Sequence, residues 1–244
     1  MDQVSLPASL AAAWGVRDRP AKGPKPALSL ERIVDAAVEV AGAEGLAAVS
    51  MSRVAAKLGA STMSLYRYVA AKDELLALML DAATGPPDLP PPDDGWRAAL
   101  SRWAWGVRAA LRRHPWAVHL PLSGPPITPN QIAWMEHGLR ALRDTRLPEP
   151  DKLSVIMLVS GYVWRESTLF VDLMAAQQTD NKWQQLIVDY GRTLAKLIDA
   201  DRFPAVSAAI ASGQFDQLDH PDADFVFGLE RILDGVEVLV RRTP

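Results

Sequence analysis

The chain has 244 residues, of which 49% are apolar and 23% charged, with a net charge of −3, a composition that excludes a disordered protein. It contains no cysteine, which excludes disulfides, thiolate metal sites and cysteine nucleophiles. Its longest apolar runs, such as residues 75–80, fall far short of the roughly 18–20 residues that cross a bilayer. It also lacks the apolar segment of a signal peptide, so we expect a cytoplasmic protein without a membrane partner.

The N-terminal third is predicted to hold a flexible extension and four helices. Prolines and Gly23 interrupt residues 1–28, so this segment is expected to be a flexible, basic extension. Helical spacing of apolar residues predicts a first helix that begins after Ser29, its N-cap, and ends near Gly45. The three helices that follow are predicted at residues 50–58, from residue 61, and from residue 72 to about residue 84.

The rest of the chain is predicted to be a second helical unit. Residues 85–95 hold five prolines and two glycines and are expected to form a linker. Beyond it, helical patterns return at about 95–113, 128–145, 150–175, 181–200 and 222–242. Since no sustained period-two alternation occurs, the sequence predicts an all-α fold with a small N-terminal and a larger C-terminal bundle.

Residues 50–72 read SMSRVAAKLGASTMSLYRYVAAK, a short helix, a glycine turn and a second short helix. This is the spacing of a helix-turn-helix, whose second helix enters the DNA major groove. Residues 45–72 carry four basic side chains and no carboxylate, so the surface is expected to hold no acidic group, which suits contact with phosphate. The residues expected to contact DNA are Ser50, Arg53, Ser61, Thr62, Met63, Ser64, Tyr66, Arg67, Tyr68 and Lys72. The alternative is an all-α small-molecule-binding or scaffolding dimer without DNA binding, because two short helices joined by a glycine turn occur in many all-α proteins.

Residues 30–80 resemble the DNA-binding domain of TetR-type transcriptional repressors. The matching stretches are IVDAAVEVAGAEGL, SMSRVAAKLG and STMSLYRYVAAKDELL. Fainter similarity to the tetracycline-repressor branch continues through residues 95–97, 118–120 and 228–235. The resemblance implies a helix-turn-helix DNA-binding domain at 29–84, the linker at 85–95, and an effector-binding and dimerisation domain at 96–244. It further implies a homodimeric repressor that binds a palindromic operator and is released by a small molecule.

Seven of the eight tryptophans lie between residues 96 and 183, a pattern typical of a helical bundle that encloses a flat ligand. The predicted lining residues are Trp103, Val107, His119, Trp134, Met157 and Trp164. Ordinary core packing is the alternative for any single tryptophan. In tetracycline repressors a matching histidine helps to hold a magnesium-bound drug, whereas Trp103 and Trp134 here favour a bulky, flat, largely apolar effector such as a polyketide-like antibiotic. His119 is therefore either an effector contact or a structural residue.

Residues 222–242 are apolar on more than one face, as expected of a helix shared with a partner. Gly228 and Gly235 lie on one stripe and permit close approach, so residues 150–175 and 222–242 are predicted to form the homodimer interface. The N-terminal cations Arg17, Arg19, Lys22 and Lys25 belong either to a minor-groove arm or to a solubilising tail. No metal-binding or nucleophile motif occurs, so we predict neither enzyme activity nor a cofactor.

Overall fold

The computed structural model describes residues 6–16, 28–90, 94–121, 124–175, 182–213, 215 and 222–243. Every extended regular element in these ranges is a helix and no strand occurs among them, which confirms the predicted all-α class. None of the described helices has the combination of length and apolar character that a bilayer-spanning segment requires. The cations of the proposed N-terminal arm, residues 17–25, lie outside the described ranges.

Among the described residues, the N-terminal unit holds five helices: α1 Ala8–Ala13, α2 Leu30–Glu44, α3 Met51–Lys57, α4 Thr62–Tyr66 and α5 Lys72–Thr84. Serine caps fix the start of three of them. The Oγ atom of Ser29 accepts the backbone N–H of Arg32 at 3.2 Å, as predicted for α2. Ser50 and Ser61 cap α3 and α4 in the same way, at 3.1 and 3.2 Å. Gly59 ends α3 with a φ of 62°, a left-handed conformation that favours glycine.

These helices enclose an N-terminal core in which Ile33, Val54, Leu65 and Met79 are fully buried. Helix α1 was not predicted, because the prolines of residues 1–28 suggested weak order throughout. Pro7 instead stands at the N-cap of α1, where its missing N–H costs no helical hydrogen bond. The buried side chain of Leu10 attaches α1 to the N-terminal core.

The described part of the C-terminal unit holds six helices: α6 Trp96–Arg113, α7 Pro129–Ala141, α8 Glu149–Ala175, α9 Lys182–Leu197, α10 Pro204–Ala211 and α11 Ala223–Arg242. Four match predicted segments closely, whereas α7 stops four residues earlier than predicted. Helix α10 was not predicted, because its alanine-rich sequence PAVSAAIA has no apolar stripe of helical spacing.

The C-terminal core lies where α6 packs against α7, α8 and α11, with Leu100, Val159 and Phe225 fully buried. A 3₁₀ turn at Pro115–His119 joins the two cores. Trp116 in this turn lies in the N-terminal core, whereas Val118, two residues later, lies in the C-terminal core. The two units therefore share packed side chains.

Candidate functional site

Helix α4 is anchored on one side and open on the other. Leu65 within it and Val69 just after it are fully buried in the N-terminal core. On the opposite side Met63 and Tyr66 are 75% and 46% exposed, so both side chains are open to a partner. Apolar side chains in the major groove contact the methyl group of thymine. The surface thus suits the groove of a duplex.

Of the three predicted cations on this surface, two are available and one is already paired. Arg67 and Lys72 are exposed and form no ion pair within the described ranges. Arg53 instead binds Glu44 at the end of α2, with Nη2 2.6 Å from Oε1 and Nε 3.0 Å from Oε2. Hydrogen bonding to Arg53 lowers the pKa of the Glu44 carboxyl group.

Lys57, which was not among the predicted contacts, pairs likewise with Glu39 at 2.8 Å. The expectation of a surface without carboxylates is therefore wrong. It rested on residues 45–72 alone, and the folded chain brings in Glu39 and Glu44 from α2.

The two tyrosines that follow Leu65 differ. Tyr66 is exposed, as a phosphate contact requires. Tyr68 is partly buried against the N-terminal core, and its hydroxyl donates to the carbonyl oxygen of Leu28 at 3.0 Å. Because a phenol has one proton to donate, Tyr68 does not donate to phosphate in this conformation. Its geometry instead fixes the chain just before α2.

The predicted serine and threonine contacts cluster around the helix starts. Ser50 and Ser61 are the N-caps of α3 and α4, and Thr62 and Ser64 lie half-buried in α4. The Oγ atoms of Ser61 and Ser64 are 2.8 Å apart.

Four of the six predicted effector-lining residues come together in the C-terminal core. Trp103, Val107, Trp134 and Trp164 all pack there, and Trp164 also contacts the N-terminal core. The indole N–H of Trp103 donates to the backbone oxygen of Trp134 at 2.8 Å, and that of Trp134 donates to the oxygen of Gly85 at 2.9 Å. The aromatic group is thus fixed to the end of α5 as well as to its own domain.

The other two predicted lining residues lie elsewhere. Met157 is 68% exposed, because Ile156 and Val159 turn the opposite side of α8 towards the core. The prediction that Met157 lines the same site is wrong for this fold. His119 is also exposed, with its Nε2 atom 3.4 Å from Oδ1 of Asp172.

A buried ionic cluster was missed in the sequence. Arg108 is 2% exposed and donates from Nε and Nη2 to the two carboxylate oxygens of Glu166 at 2.9 Å, and from Nη1 to Asp222 at 2.7 Å. Burial opposes its charge, but these hydrogen bonds outweigh it and raise the pKa of Arg108. Burial, reinforced by Arg108, lowers the pKa of Arg112, which stacks on Phe170 at 3.9 Å. Two charged residues, at positions 165 and 166 in the mostly apolar middle of α8, were the available signal.

The outer face of α8 and α11 exposes large apolar residues, and the charged residues Asp151 and Arg231 also lie on it. Its exposed apolar residues are Leu153, Met157, Leu158, Phe227, Val238 and Leu239. A groove of about 460 Å³ runs between the two helices, and none of the predicted effector-lining residues lines it. We call this surface, with the groove, the α8–α11 face.

The two glycines of the predicted stripe on α11, Gly228 and Gly235, have different surroundings. A Cβ at Gly228 would lie 2.3 Å from the Tyr162 hydroxyl, so this glycine permits packing within the chain. A Cβ at Gly235 would meet nothing within 4 Å, and this exposed residue lines the groove. Of the two, only Gly235 is placed to let another molecule approach closely.

Comparison with known proteins identifies both units. The family model of bacterial regulatory proteins of the tetR family matches residues 33–79, and that of the tetracyclin repressor-like C-terminal domain matches residues 87–240. The HTH-type transcriptional repressor DrrR1 of Streptomyces coeruleorubidus is 41% identical over 234 residues, which cover 93% of this chain and 84% of DrrR1.

Solved structures agree. The structure of ActR from Streptomyces coelicolor in complex with actinorhodin has a TM-score of 0.77 at 27% identity, over 91% of this chain and 100% of ActR. ActR in complex with (S)-DNPA has a TM-score of 0.71, also at 27% identity, over 86% and 98% of the two chains. The sequence, the fold and these relatives agree that the chain belongs to the TetR family of transcriptional regulators, which are transcription factors and not enzymes.

Proposed function

We propose that this TetR-family protein is a cytoplasmic repressor whose homodimer binds a palindromic operator and leaves it when a flat, largely apolar effector enters the C-terminal domain. The observation that carries the DNA part is the geometry of α4. Leu65 and Val69 hold it in the core, while Met63, Tyr66 and Arg67 project from the opposite side. This arrangement presents apolar groups to thymine methyls and a cation to phosphate.

The α8–α11 face is the proposed homodimer interface. It exposes Met157, Leu158 and Phe227, and water-exposed apolar groups of this size on adjacent helices are typical of a protein-binding surface. A second copy related by a two-fold axis brings the same apolar residues onto it and allows close approach at Gly235. Two copies of α4 then read two half-sites of one operator.

The effector site is proposed among Trp103, Val107, Trp134 and Trp164. Support comes from their shared position in the C-terminal core and from ActR, which has been solved with actinorhodin and with (S)-DNPA. Flat aromatic rings between tryptophan side chains gain both apolar burial and ring stacking. The hydrogen bond of Trp134 to Gly85 connects this site with the end of α5.

The test is release of a bound duplex by candidate effectors. The protein is bound to labelled DNA from upstream of its own gene, and flat aromatic compounds, beginning with actinorhodin, are added while tryptophan fluorescence is followed. Release of DNA at the concentrations that change the fluorescence supports the proposal. Compounds that release DNA without any change in tryptophan fluorescence contradict the aromatic site, and a failure to bind DNA contradicts the function of α4.

A further inference from the structure

Helix α7 begins at the boundary between the two domains, and its own capping residue is not used. Thr128 holds the N-cap position, with φ −92° and ψ 154°, and its carbonyl oxygen accepts the N–H of Ile132 at 3.0 Å. A threonine there ordinarily accepts a backbone N–H two or three residues later through its hydroxyl. The Thr128 hydroxyl does not do so: it is fully buried and makes no hydrogen bond to any described residue.

The backbone N–H groups that Thr128 would accept are held by Asp81, which belongs to α5 of the DNA-binding domain. Its Oδ1 atom lies 2.9 Å from the nitrogen of Asn130 and 3.1 Å from that of Gln131. The side-chain amide of Asn130 in turn donates to the backbone carbonyl oxygen of Asp81 at 3.0 Å. Since a helix N-terminus attracts negative charge, the carboxylate is the stronger of the two caps.

Two acceptors, one in each domain, therefore compete for the same two N–H groups. We propose that they exchange: Asp81 caps α7 while the domains are held together, and Thr128 caps it when α5 moves away. The exchange brings the two domain arrangements closer in free energy. When the Asp81 carboxylate leaves, the Thr128 hydroxyl, until then buried without a partner, gains a hydrogen bond. The two caps thus make the contact a two-state element that a ligand can bias.

Asp81 lies between the proposed DNA contacts and the proposed effector site, so the exchange can connect the two. This step rests on the proposed effector response. Lys72, a predicted phosphate contact, lies nine residues earlier on α5, or about 13.5 Å along the helix at 1.5 Å per residue. Trp134, a proposed effector contact, lies one turn after Asn130 on α7. An effector that displaces Trp134 therefore acts on the helix whose start Asp81 holds.

A double-mutant cycle on the full-length protein tests the exchange. Thr128→Val, Asp81→Ala and the double variant are compared with wild type by thermal unfolding. In wild type, Thr128→Val should leave the Tm unchanged or raise it, because the buried hydroxyl caps nothing and has no partner to lose. In the Asp81→Ala background, the same change should lower the Tm by about 2–4 °C, the loss expected for one N-cap in a chain of this size.

Hydrogen exchange gives a second readout at the amides of Asn130 and Gln131. At least one of the two should stay protected in Asp81→Ala, where Thr128 takes over, and neither should stay protected in the double variant. Asp81→Asn is the conservative control, because an asparagine oxygen also caps, so Thr128→Val should again cause no loss of Tm. If Asp81→Ala does not fold, Asp81→Ser, which shortens the side chain but leaves it polar, replaces it in the cycle.

Equal effects of Thr128→Val in both backgrounds, or lost protection in Asp81→Ala alone, would overturn the exchange. Neither measurement involves DNA or effector. A protein that fails to bind DNA therefore leaves this test intact, and a failed cycle leaves the proposed function intact.

Discussion

Arg67 provides the sharpest test of the DNA-contacting surface. Its side chain is exposed at the end of α4 and forms no ion pair within the described ranges. Each phosphate that a protein neutralises contributes a slope of about −0.9 to log K against log salt. Arg67→Met removes one such contact from each subunit, so the slope for the dimer should become shallower by about 1.8. Between about 50 and 200 mM salt, the affinity advantage of wild type should therefore shrink about twelvefold.

The assay is fluorescence anisotropy with a random duplex at several salt concentrations. Glu44→Gln makes the opposite change, because it releases the Arg53 guanidinium that Glu44 now binds at 2.6 Å. The slope should then become steeper than in wild type. Arg143→Met, in the exposed turn after α7, is the matched control and should leave the slope unchanged.

The stability of the variants decides what a negative result means. Arg67 is exposed, so its replacement should change the free energy of unfolding by no more than about 0.5 kcal/mol. An unchanged salt slope in a stable Arg67→Met protein refutes the assignment of this side chain to phosphate. A large loss of stability shows instead that Arg67 belongs to the fold.

Three further predictions follow from the C-terminal domain. Met157→Glu should convert the dimer to a folded monomer in analytical ultracentrifugation, since it places a carboxylate on the α8–α11 face; Met63→Glu, an equally exposed methionine on α4, should leave the dimer intact. Arg108→Met should lower the free energy of unfolding by about 3 kcal/mol in urea titrations. This loss is at the low end for a broken buried ion pair, because Arg112 stays near both carboxylates. A loss below about 1 kcal/mol would contradict the burial of the Arg108 charge. Burial, and secondly a neighbouring arginine, lowers the pKa of His114 below 6.5, so the unfolded chain binds this proton more readily. Its contribution to stability is therefore complete above about pH 6.5 and is lost as the pH falls towards the folded pKa, and His114→Gln should flatten this part of the Tm–pH curve.

Local signals in the sequence located most of the N-terminal unit. Ser29 and Gly59 act through backbone geometry within a few residues of themselves, and the structure places them at a helix start and a helix end as predicted. Such features depend on neighbours in the chain, which a sequence pattern records directly.

Features that depend on distant residues were missed. The pairing of Arg53 with Glu44 joins two helices whose charges were considered separately. Met157 was placed in the effector site because α8 carries apolar residues on both sides, and spacing alone does not tell which side faces the core. Asp81 gave no signal, because its partners at residues 130 and 131 lie 49 and 50 positions away.

The central claim is that two copies of α4 read one palindromic operator, and a nuclease footprint on DNA from upstream of the protein's own gene tests it most directly. We predict two protected half-sites related by a two-fold axis, with centres one helical turn or a multiple of it apart, about 34–36 Å per turn. Protection should weaken as salt rises from about 50 to about 200 mM, and in Arg67→Met it should be lost at about 200 mM salt. A single asymmetric footprint, or none at low salt after refolding away any bound ligand, would contradict the account.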